Sequence, residues 1–411
     1  MPGILIGRNE TTAVELDSRY GNRHGMIAGA TGTGKSVTLM LMAEGFSRLG
    51  VPCFLADAKG DLAGLSQAAG APSDKLKDRL AKLGLTGWTP QANPVAFWDI
   101  YGKLGHPVRA TVSEMGPTLL SRILELNDTQ EGVLEVIFRV ADDEGLLLLD
   151  LGDLRAMLGF ASEHAKDISA KYGLISAQSV AAIQRALLKL EQDGADHFFG
   201  EPALELADLM RQDMSGRGVI NVLAADTLIL KPRLYSTFLL WLLSELFEQL
   251  PEVGDLDVPK MAFFFDEAHL LFEDASKEFL DSIEQTVRLI RSKGVGIFFV
   301  TQSPKDIPTD VLAQLGNRMQ HALRAFTPDD AKALKAAART YPRSEYDLEQ
   351  LLTQLATGEA VVTVLSESGA PTPVAWTRMQ APQSLMKPAP VADVEAAVSA
   401  SPLMGLSLIH I

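Results

Sequence analysis

Residues 26–40, with the sequence MIAGATGTGKSVTLM, constrain this chain more than any other stretch. The glycines, lysine and serine follow the register G-x-x-x-x-G-K-[ST], with an apolar run before them and a helix-forming run after them. Small residues let successive backbone N–H groups surround a triphosphate, and the N-terminus of the following helix points at the same negative charge. We therefore predict a nucleoside triphosphate site. The residues expected to contact the nucleotide are Gly29, Ala30, Thr31, Gly32, Thr33, Gly34, Lys35, Ser36 and Val37.

Two side chains of this loop have specific chemical roles. Lys35 can reach the β- and γ-phosphate oxygens, and the Ser36 hydroxyl can ligate Mg²⁺. A glycine-rich turn that matches by chance is the alternative, but the strand pattern before the loop and the helix pattern after it argue against chance. The guanine-specific sequence N-K-x-D is absent, so we expect ATP rather than GTP, with Mg²⁺ as the metal.

The surrounding sequence alternates between strand and helix patterns. Residues 24–28 and 51–56 are apolar runs of strand length, and residues 35–49 between them are typical of a helix. This order is a βαβ unit, which requires a parallel sheet. Residues 260–265 and 295–301 are further apolar runs typical of buried strands. We predict an α/β fold, a RecA-like P-loop NTPase of the additional-strand class with a mostly parallel sheet and a helical insertion.

Composition divides the chain into four parts. We predict that residues 1–61 begin the ATPase core, 62–216 form a mostly helical insertion or subdomain, and 217–379 complete the core. Prolines punctuate the first half of the insertion, helical periodicities fill the second half, and no run alternates as a strand. Residues 380–411 are rich in proline and alanine, which is typical of a linker or tail.

A second motif places two carboxylates after an apolar strand. Asp266 can hold Mg²⁺ through water, and Glu267 can orient and deprotonate the attacking water. The alternative is that both acids only end the strand and cap the next helix. Gln302 ends the following strand, where we expect it to reach the γ-phosphate. A buried amide that only satisfies backbone groups is the alternative for Gln302.

Composition limits the other function classes. The 37 basic and 52 acidic side chains give a formal charge of −15, which argues against a surface that binds nucleic acid everywhere but allows a basic pore. The single cysteine, Cys53, excludes a disulfide framework, and no secretory signal is evident, so we predict a cytoplasmic protein. Polar residues interrupt the apolar run at 234–250, which predicts a buried helix and no membrane association.

The motifs GATGTGKS, FLADAKGDL, FFFDEAHLLF, FFVTQSP and LGNRMQHALRAFTPDD together resemble the HerA/FtsK superfamily of ring ATPases. The resemblance is strongest to the bacterial YjgR-type proteins with a HerA-like helicase C-terminal domain. It implies a homo-oligomer, a hexameric ring with ATP sites between subunits, and translocation on DNA. It also implies an arginine that a neighbouring subunit directs at the γ-phosphate. Arg318 and Arg324 fit that role by resemblance, with a surface salt bridge as the alternative for each.

We therefore expect Mg²⁺-dependent ATP hydrolysis by a ring-forming motor, coupled to DNA translocation or helicase activity. The residues expected to carry the reaction are Lys35, Glu267, Gln302, Arg318 and Arg324. The alternative is a ring ATPase that remodels or regulates a protein partner without acting on DNA, which fits the acidic composition.

Overall fold

The computed structural model describes residues 3–9, 12–254, 256–273 and 277–404. In chain order the strands are β1 (Gly3–Arg8), β2 (Ala13–Asp17), β3 (Gly25–Ala28), β4 (Cys53–Asp57), β5 (Val95–Asp99), β6 (His106–Pro107), β7 (Ile220–Ala224), β8 (Met261–Phe265), β9 (Val295–Thr301), β10 (Asn317–Gln320), β11 (Glu359–Thr363) and β12 (Ala375–Met379). The helices are α1 (Lys35–Arg48), α2 (Asp74–Lys82), α3 (Val112–Ile123), α4 (Asp128–Asp143), α5 (Leu151–Glu163), α6 (Ala165–Tyr172), α7 (Ala177–Gln192), α8 (Leu206–Leu209), α9 (Pro232–Gln249), α10 (His269–Phe272), α11 (Lys277–Ile290), α12 (Thr309–Leu312), α13 (Pro328–Arg339), α14 (Leu348–Gln354) and α15 (Val391–Ser399).

The described strands form one sheet in the order β2-β1-β12-β11-β10-β3-β9-β8-β4-β7-β5-β6. From β10 to β6 in this order, every strand is parallel to its neighbour. The strands β11, β12, β1 and β2 extend the sheet through antiparallel pairs. The predicted RecA-like α/β fold with a mostly parallel sheet is confirmed. In such sheets ligands bind at the edge where the parallel strands end.

Alternate side chains of the central strands enter two hydrophobic cores. In β8, Phe263 and Phe265 face one core and Phe264 faces the other. The first core also contains apolar residues of α9, α11 and the helices α3 to α7, and the second contains those of α1. Burial of one phenylalanine side chain contributes about 2 kcal/mol. The end of β8 is therefore a firmly held platform for the residues that follow it.

The range 62–216, for which we predict a mostly helical structure, contains two strands among its helices. The strands β5 and β6 lie inside this range and belong to the main sheet, where β5 pairs in parallel with β7. The helices α3 to α8 follow these two strands along the chain. The run VAFWD that forms β5 directly follows Pro94 and has only 5 residues, so it shows no alternating pattern that periodicity could detect.

The described part of the predicted linker or tail, residues 380–404, packs against the core. The helix α15 buries Val394 in the second hydrophobic core. The fully buried carboxylate of Glu44, in α1, accepts hydrogen bonds from the backbone N–H groups of Gln383 at 2.9 Å and Ser384 at 2.8 Å. Because a buried carboxylate needs such donors, the tail is fixed to the phosphate-loop helix. Residues 405–411 lie outside the described residues.

The leucine-rich helix α9 packs in the first core, as its interrupted apolar pattern predicts. It begins at Pro232, a position where proline is favourable because the first N–H of a helix has no internal partner. In the part of the chain that the structure describes, no helix has both the length and the apolar character to cross a membrane.

Candidate functional site

The phosphate loop joins β3 to α1 at the carboxyl edge of the sheet. Its three glycines have φ angles of 155° at Gly29, 77° at Gly32 and 113° at Gly34, which residues with a side chain rarely adopt. The loop leads into the N-terminus of α1, where the helix dipole favours a phosphate. The Lys35 ammonium donates to the carbonyl oxygens of Gly29 at 2.6 Å and Ala30 at 3.3 Å. The next residue, the predicted metal ligand Ser36, lies half-buried in the first turn of α1.

Lys35 shares its surroundings with three other charged side chains. Burial lowers the pKa of Lys35, the negative charge of Glu267 and then that of Asp266 oppose the lowering, and the positive charge of Lys59 adds to it. Three charged groups that follow the strands β4 and β8 therefore lie within electrostatic reach of Lys35, which follows β3.

Asp266 and Glu267 directly follow β8, as predicted. Asp266 is buried, and its Oδ2 atom has no hydrogen-bond partner among the described residues. Burial, together with the negative charge of Glu267, raises the pKa of Asp266 to about 7. A buried carboxylate with a free oxygen is stabilised strongly by a cation.

Two further carboxylates, Asp57 and Asp61, converge on Asp266 from the end of β4. One oxygen atom from each of the three side chains lies within 4.8 Å of the others. Burial raises the pKa of Asp57 to about 6, and Oδ1 of Asp61 has no hydrogen-bond partner within the described ranges. Carboxylate oxygens are the ligands that Mg²⁺ prefers, alone or through retained waters. This set of donors fits Mg²⁺ and adds Asp57 and Asp61 to the predicted Asp266.

Glu267 lies in the left-handed region, with φ of 47°, a conformation that costs a residue with a side chain about 1 kcal/mol. Its carboxylate pairs with the Lys59 ammonium, accepts a hydrogen bond from Nε2 of Gln302 at 3.3 Å and lies 3.2 Å from Nδ1 of His269. Burial raises the pKa of Glu267, but Lys59, by its hydrogen bond and charge, together with Gln302 and His269, outweighs burial, so the net shift is downward. Glu267 is therefore held as a carboxylate, the form that a general base requires.

Gln302 follows β9, the strand that separates β3 from β8 in the sheet. The register pairs Ala28 with Thr301 on one side of β9 and Phe265 with Phe299 on the other. Gln302 therefore projects from a strand end between the phosphate loop and the two carboxylates. The structure places Gln302 against Glu267 and beside a cavity that the loop also borders.

A cavity of about 670 Å³ borders the phosphate loop. Its walls include Ala30 and Thr31 of the loop, Gln302, and the exposed Arg324. Arg324 therefore opens onto the same space as the loop and the end of β9. Its position is compatible with contact to an anionic group in that cavity.

Arg318 lies in β10, and the backbone of its own chain uses its guanidinium. This group donates to the carbonyl oxygens of Leu315 at 3.1 Å, Leu312 at 3.2 Å and Thr340 at 3.2 Å. These contacts stabilise the turn between α12 and β10. Backbone carbonyl groups therefore occupy the guanidinium of Arg318, whereas that of Arg324 faces the cavity.

The family model described as "Helicase HerA-like C-terminal" matches residues 4–408. The chain belongs to this family. With its phosphate loop and acidic strand end in place, the HerA-like chain is a P-loop ATPase. A probable helicase of Methanocaldococcus jannaschii is 32% identical over 119 residues, which make up 28% of this chain and only 21% of that relative.

Solved structures of two other proteins share the fold of the HerA-like chain. The plasmid coupling protein TrwB with a non-hydrolysable ATP analogue is 15% identical with a TM-score of 0.58, covering 95% of this chain and 96% of that chain. TrwB with ADP and Mg²⁺ is 14% identical to this chain with a TM-score of 0.55, and the match covers 94% of this chain and 97% of that chain. VirB4 of Thermoanaerobacter pseudethanolicus is 18% identical with a TM-score of 0.57, covering 92% and 96%. At these identities the likeness shows the fold.

The motifs of this HerA-like chain predict no role for Asp57, Lys59 or Asp61 in the site. All three belong to the segment DAKGD, in which Asp57 is the last residue of β4 and the other two follow the strand. The strand β4 is the parallel neighbour of β8. Polar residues after neighbouring parallel strands meet at one edge of the sheet. That rule is the signal that could have linked these three residues to Asp266 and Glu267.

Proposed function

We propose that this chain is a subunit of a ring-forming motor that hydrolyses ATP with Mg²⁺ and couples hydrolysis to movement along DNA. The observation that supports the proposal most directly is the position of Glu267, a buried carboxylate beside Asp266 and within electrostatic reach of Lys35. A protein that only bound ATP would gain nothing from a carboxylate held ionised at this place.

The proposed chemistry assigns one task to each group around the phosphates. Lys35 neutralises charge on the β- and γ-phosphates, and the amide of Gln302 holds the Glu267 carboxylate in place. Glu267 accepts a proton from water while the water oxygen bonds to the γ-phosphorus and the bond to the ADP oxygen breaks. Bound Mg²⁺, held by Asp266 with Asp57 and Asp61, would stabilise the negative charge of the phosphate oxygens.

We assign to Arg324 the stabilisation of charge that develops on the transferred phosphoryl group. Its guanidinium is exposed on a cavity that the phosphate loop also borders, whereas Arg318 donates to three carbonyl groups of its own chain. An arginine in this role typically accelerates phosphoryl transfer by about 10³-fold or more. The cavity lies within one chain, so this role differs from that of the arginine which the resemblance implies a neighbouring subunit supplies.

The names given to the family and to one relative support the proposed coupling to DNA. The family is described as helicase HerA-like, and the Methanocaldococcus jannaschii relative is named a probable helicase. The formal charge of −15 restricts contact with DNA to a local basic surface, such as the lining of a ring.

The coupling to DNA is tested by the rate of phosphate release from ATP. This rate is measured without nucleic acid, with duplex DNA and with single-stranded DNA. We expect DNA to stimulate turnover and the stimulation to fall steeply between about 50 and about 200 mM salt, because binding releases counterions. Heparin controls for a general polyanion effect, and Glu267→Gln supplies the background. Turnover that neither form of DNA changes would show that the coupling to DNA is wrong.

A protein partner is the second candidate, and the acidic composition favours it. In that case the ATPase rate is indifferent to DNA but is still lost in Glu267→Gln.

Light scattering with a non-hydrolysable ATP analogue tests the ring itself, since a single chain has a mass of 44.4 kDa. We expect a particle several times heavier than this, and a single-chain mass at every protein concentration would contradict the ring.

A further inference from the structure

The ion pair between Lys59 and Glu267 joins two strand ends of the candidate site. The strands β4 and β8 are parallel neighbours, with Ala56 opposite Phe265. Lys59 and Glu267 follow this last pair by a few residues each, and their side chains meet beyond the edge of the sheet. The Glu267 side chain is 5% exposed, whereas that of Lys59 is 46% exposed. The carboxylate is therefore fixed, and the ammonium is the partner that has room to move.

The backbone of Lys59 is anchored even though its side chain is half exposed. The carboxylate of Asp57 accepts hydrogen bonds from the N–H groups of Lys59 at 3.2 Å, Gly60 at 2.8 Å and Leu62 at 2.9 Å. Gly60 has φ of 74°, and a Cβ atom there would meet no heavy atom within 4 Å among the described residues. The turn thus presents the lysine at a defined point with open space beside it.

The Lys59 ammonium reaches the same sheet edge as the phosphate loop, because it pairs with Glu267, which accepts a hydrogen bond from Gln302 beside the loop. Its charge also acts on Lys35, the residue to which we assign the β- and γ-phosphates. A terminal phosphate near Lys35 would offer Lys59 a more strongly charged acceptor than a single carboxylate, and charge-assisted hydrogen bonds to phosphate are among the strongest in proteins.

The same pair limits what Glu267 can do. One carboxylate oxygen binds the ammonium, and the other accepts from Gln302. Held this way, the carboxylate is stabilised as an anion and is a weaker acceptor for a proton from water. Movement of the ammonium away from Glu267 would free one oxygen for the attacking water without any rearrangement of the buried strand.

We propose that Lys59 is a ligand of the terminal phosphate of ATP, and that this phosphate competes with Glu267 for the lysine, so that ATP binding frees the general base. ADP lacks the terminal phosphate and leaves the lysine on Glu267. The inference rests on the proposed ATP hydrolysis, because it assigns Lys59 to the same site. No bond is made or broken in the exchange itself, and the lysine remains protonated throughout.

Equilibrium binding of two Mg²⁺-nucleotides, ADP and the non-hydrolysable analogue AMP-PNP, tests the phosphate contact. We expect Lys59→Met to weaken the binding of AMP-PNP about tenfold or more and to change the binding of ADP about twofold or less. Lys59→Arg keeps the charge and should retain most of the preference for the triphosphate. Equal effects of Lys59→Met on both nucleotides, or no effect on either, would overturn the proposal.

The competition has its own test in the variant Glu267→Gln. Removal of the carboxylate charge releases Lys59, so this variant should bind AMP-PNP several times more tightly than the wild type. The gain should disappear in the double variant with Lys59→Met. A gain that persists without the lysine would overturn the competition. Binding decides these outcomes even for a chain that does not hydrolyse ATP, so a failure of the proposed function is distinguishable from a failure of this inference.

Discussion

The Nε2 atom of His321 lies 2.9 Å from the hydroxyl oxygen of Thr38, which ties the end of β10 to the phosphate-loop helix. The other ring nitrogen, Nδ1, lies 2.9 Å from the carbonyl oxygen of Glu359. A carbonyl can only accept, so Nδ1 carries the proton and Nε2 accepts from Thr38. Burial lowers the pKa of His321 to about 4, which keeps the ring neutral at physiological pH. A neutral histidine therefore fixes the helix that receives the phosphates.

The position of His321 predicts that Gly29 does not tolerate a side chain. A Cβ atom at Gly29 would lie 2.5 Å from Cβ of His321, whereas one at Gly32 meets no described heavy atom within 4 Å. We expect Gly29→Ala to weaken ATP binding by about tenfold or more, because overpacking costs about 1–3 kcal/mol. Gly32→Ala should cost about 1 kcal/mol of backbone strain at most.

Isothermal titration with a non-hydrolysable ATP analogue compares Gly29→Ala and Gly32→Ala directly. Circular dichroism checks that both variants remain folded. Equal affinities of the two variants would show that contact with His321 does not control the loop.

Substitution of Arg318 should lower the stability of the fold, and substitution of Arg324 should lower the rate of catalysis. Arg318→Ala removes three hydrogen bonds to carbonyl groups and should lower the free energy of unfolding by about 1–3 kcal/mol. Arg324→Ala should leave stability nearly unchanged and reduce kcat by about 10³-fold. Denaturant unfolding and phosphate release measure the two effects. If Arg318→Ala lost catalysis without losing stability, the assignment of the two arginines would be reversed.

His24 should make the fold less stable in mild acid. Its Nδ1 accepts from the N–H of Ile297 at 3.0 Å, and burial lowers its pKa from 6.5 to about 4. Between these values the unfolded chain binds a proton that the folded chain does not, so the free energy of unfolding falls as the pH decreases. The contribution of His24 should be complete above about pH 6.5 and reduced by about 2 kcal/mol at about pH 5.

The variant His24→Asn isolates this contribution. Asparagine tolerates the φ of 53° at this position and keeps an acceptor, but it does not titrate in this range. Urea unfolding of both proteins at about pH 7.5 and about pH 5 should show a smaller acid loss in the variant. An equal loss would mean that His24 does not contribute to the acid sensitivity.

The sequence predicts those structural features of this protein that short motifs and runs of neighbouring residues determine. The phosphate loop, the strand before Asp266 and the parallel sheet follow from short motifs and from apolar runs, and the fold class is confirmed. Contacts between segments distant in sequence escape such reasoning. The pairing of Lys59 with Glu267 spans 208 residues, and the binding of the tail by Glu44 spans 339 residues or more.

Arg318 and Arg324 show that local sequence patterns also cannot predict which partners a side chain contacts. Both belong to one segment, and both fit a phosphate-binding role by resemblance. The carbonyl groups of Leu312, Leu315 and Thr340 in the structure show that Arg318 is engaged elsewhere. The roles of Lys35, Glu267, Gln302 and Arg324 in catalysis remain predictions that experiments must test.

The most direct test of the account is ATP hydrolysis with Mg²⁺ by the wild type and by Glu267→Gln, measured together with ATP binding. The substitution keeps the shape of the side chain and removes the base. We predict that the variant still binds ATP but releases phosphate about 10²–10⁴ times more slowly, the range expected for loss of a general base. Hydrolysis at the wild-type rate by Glu267→Gln would contradict the central claim.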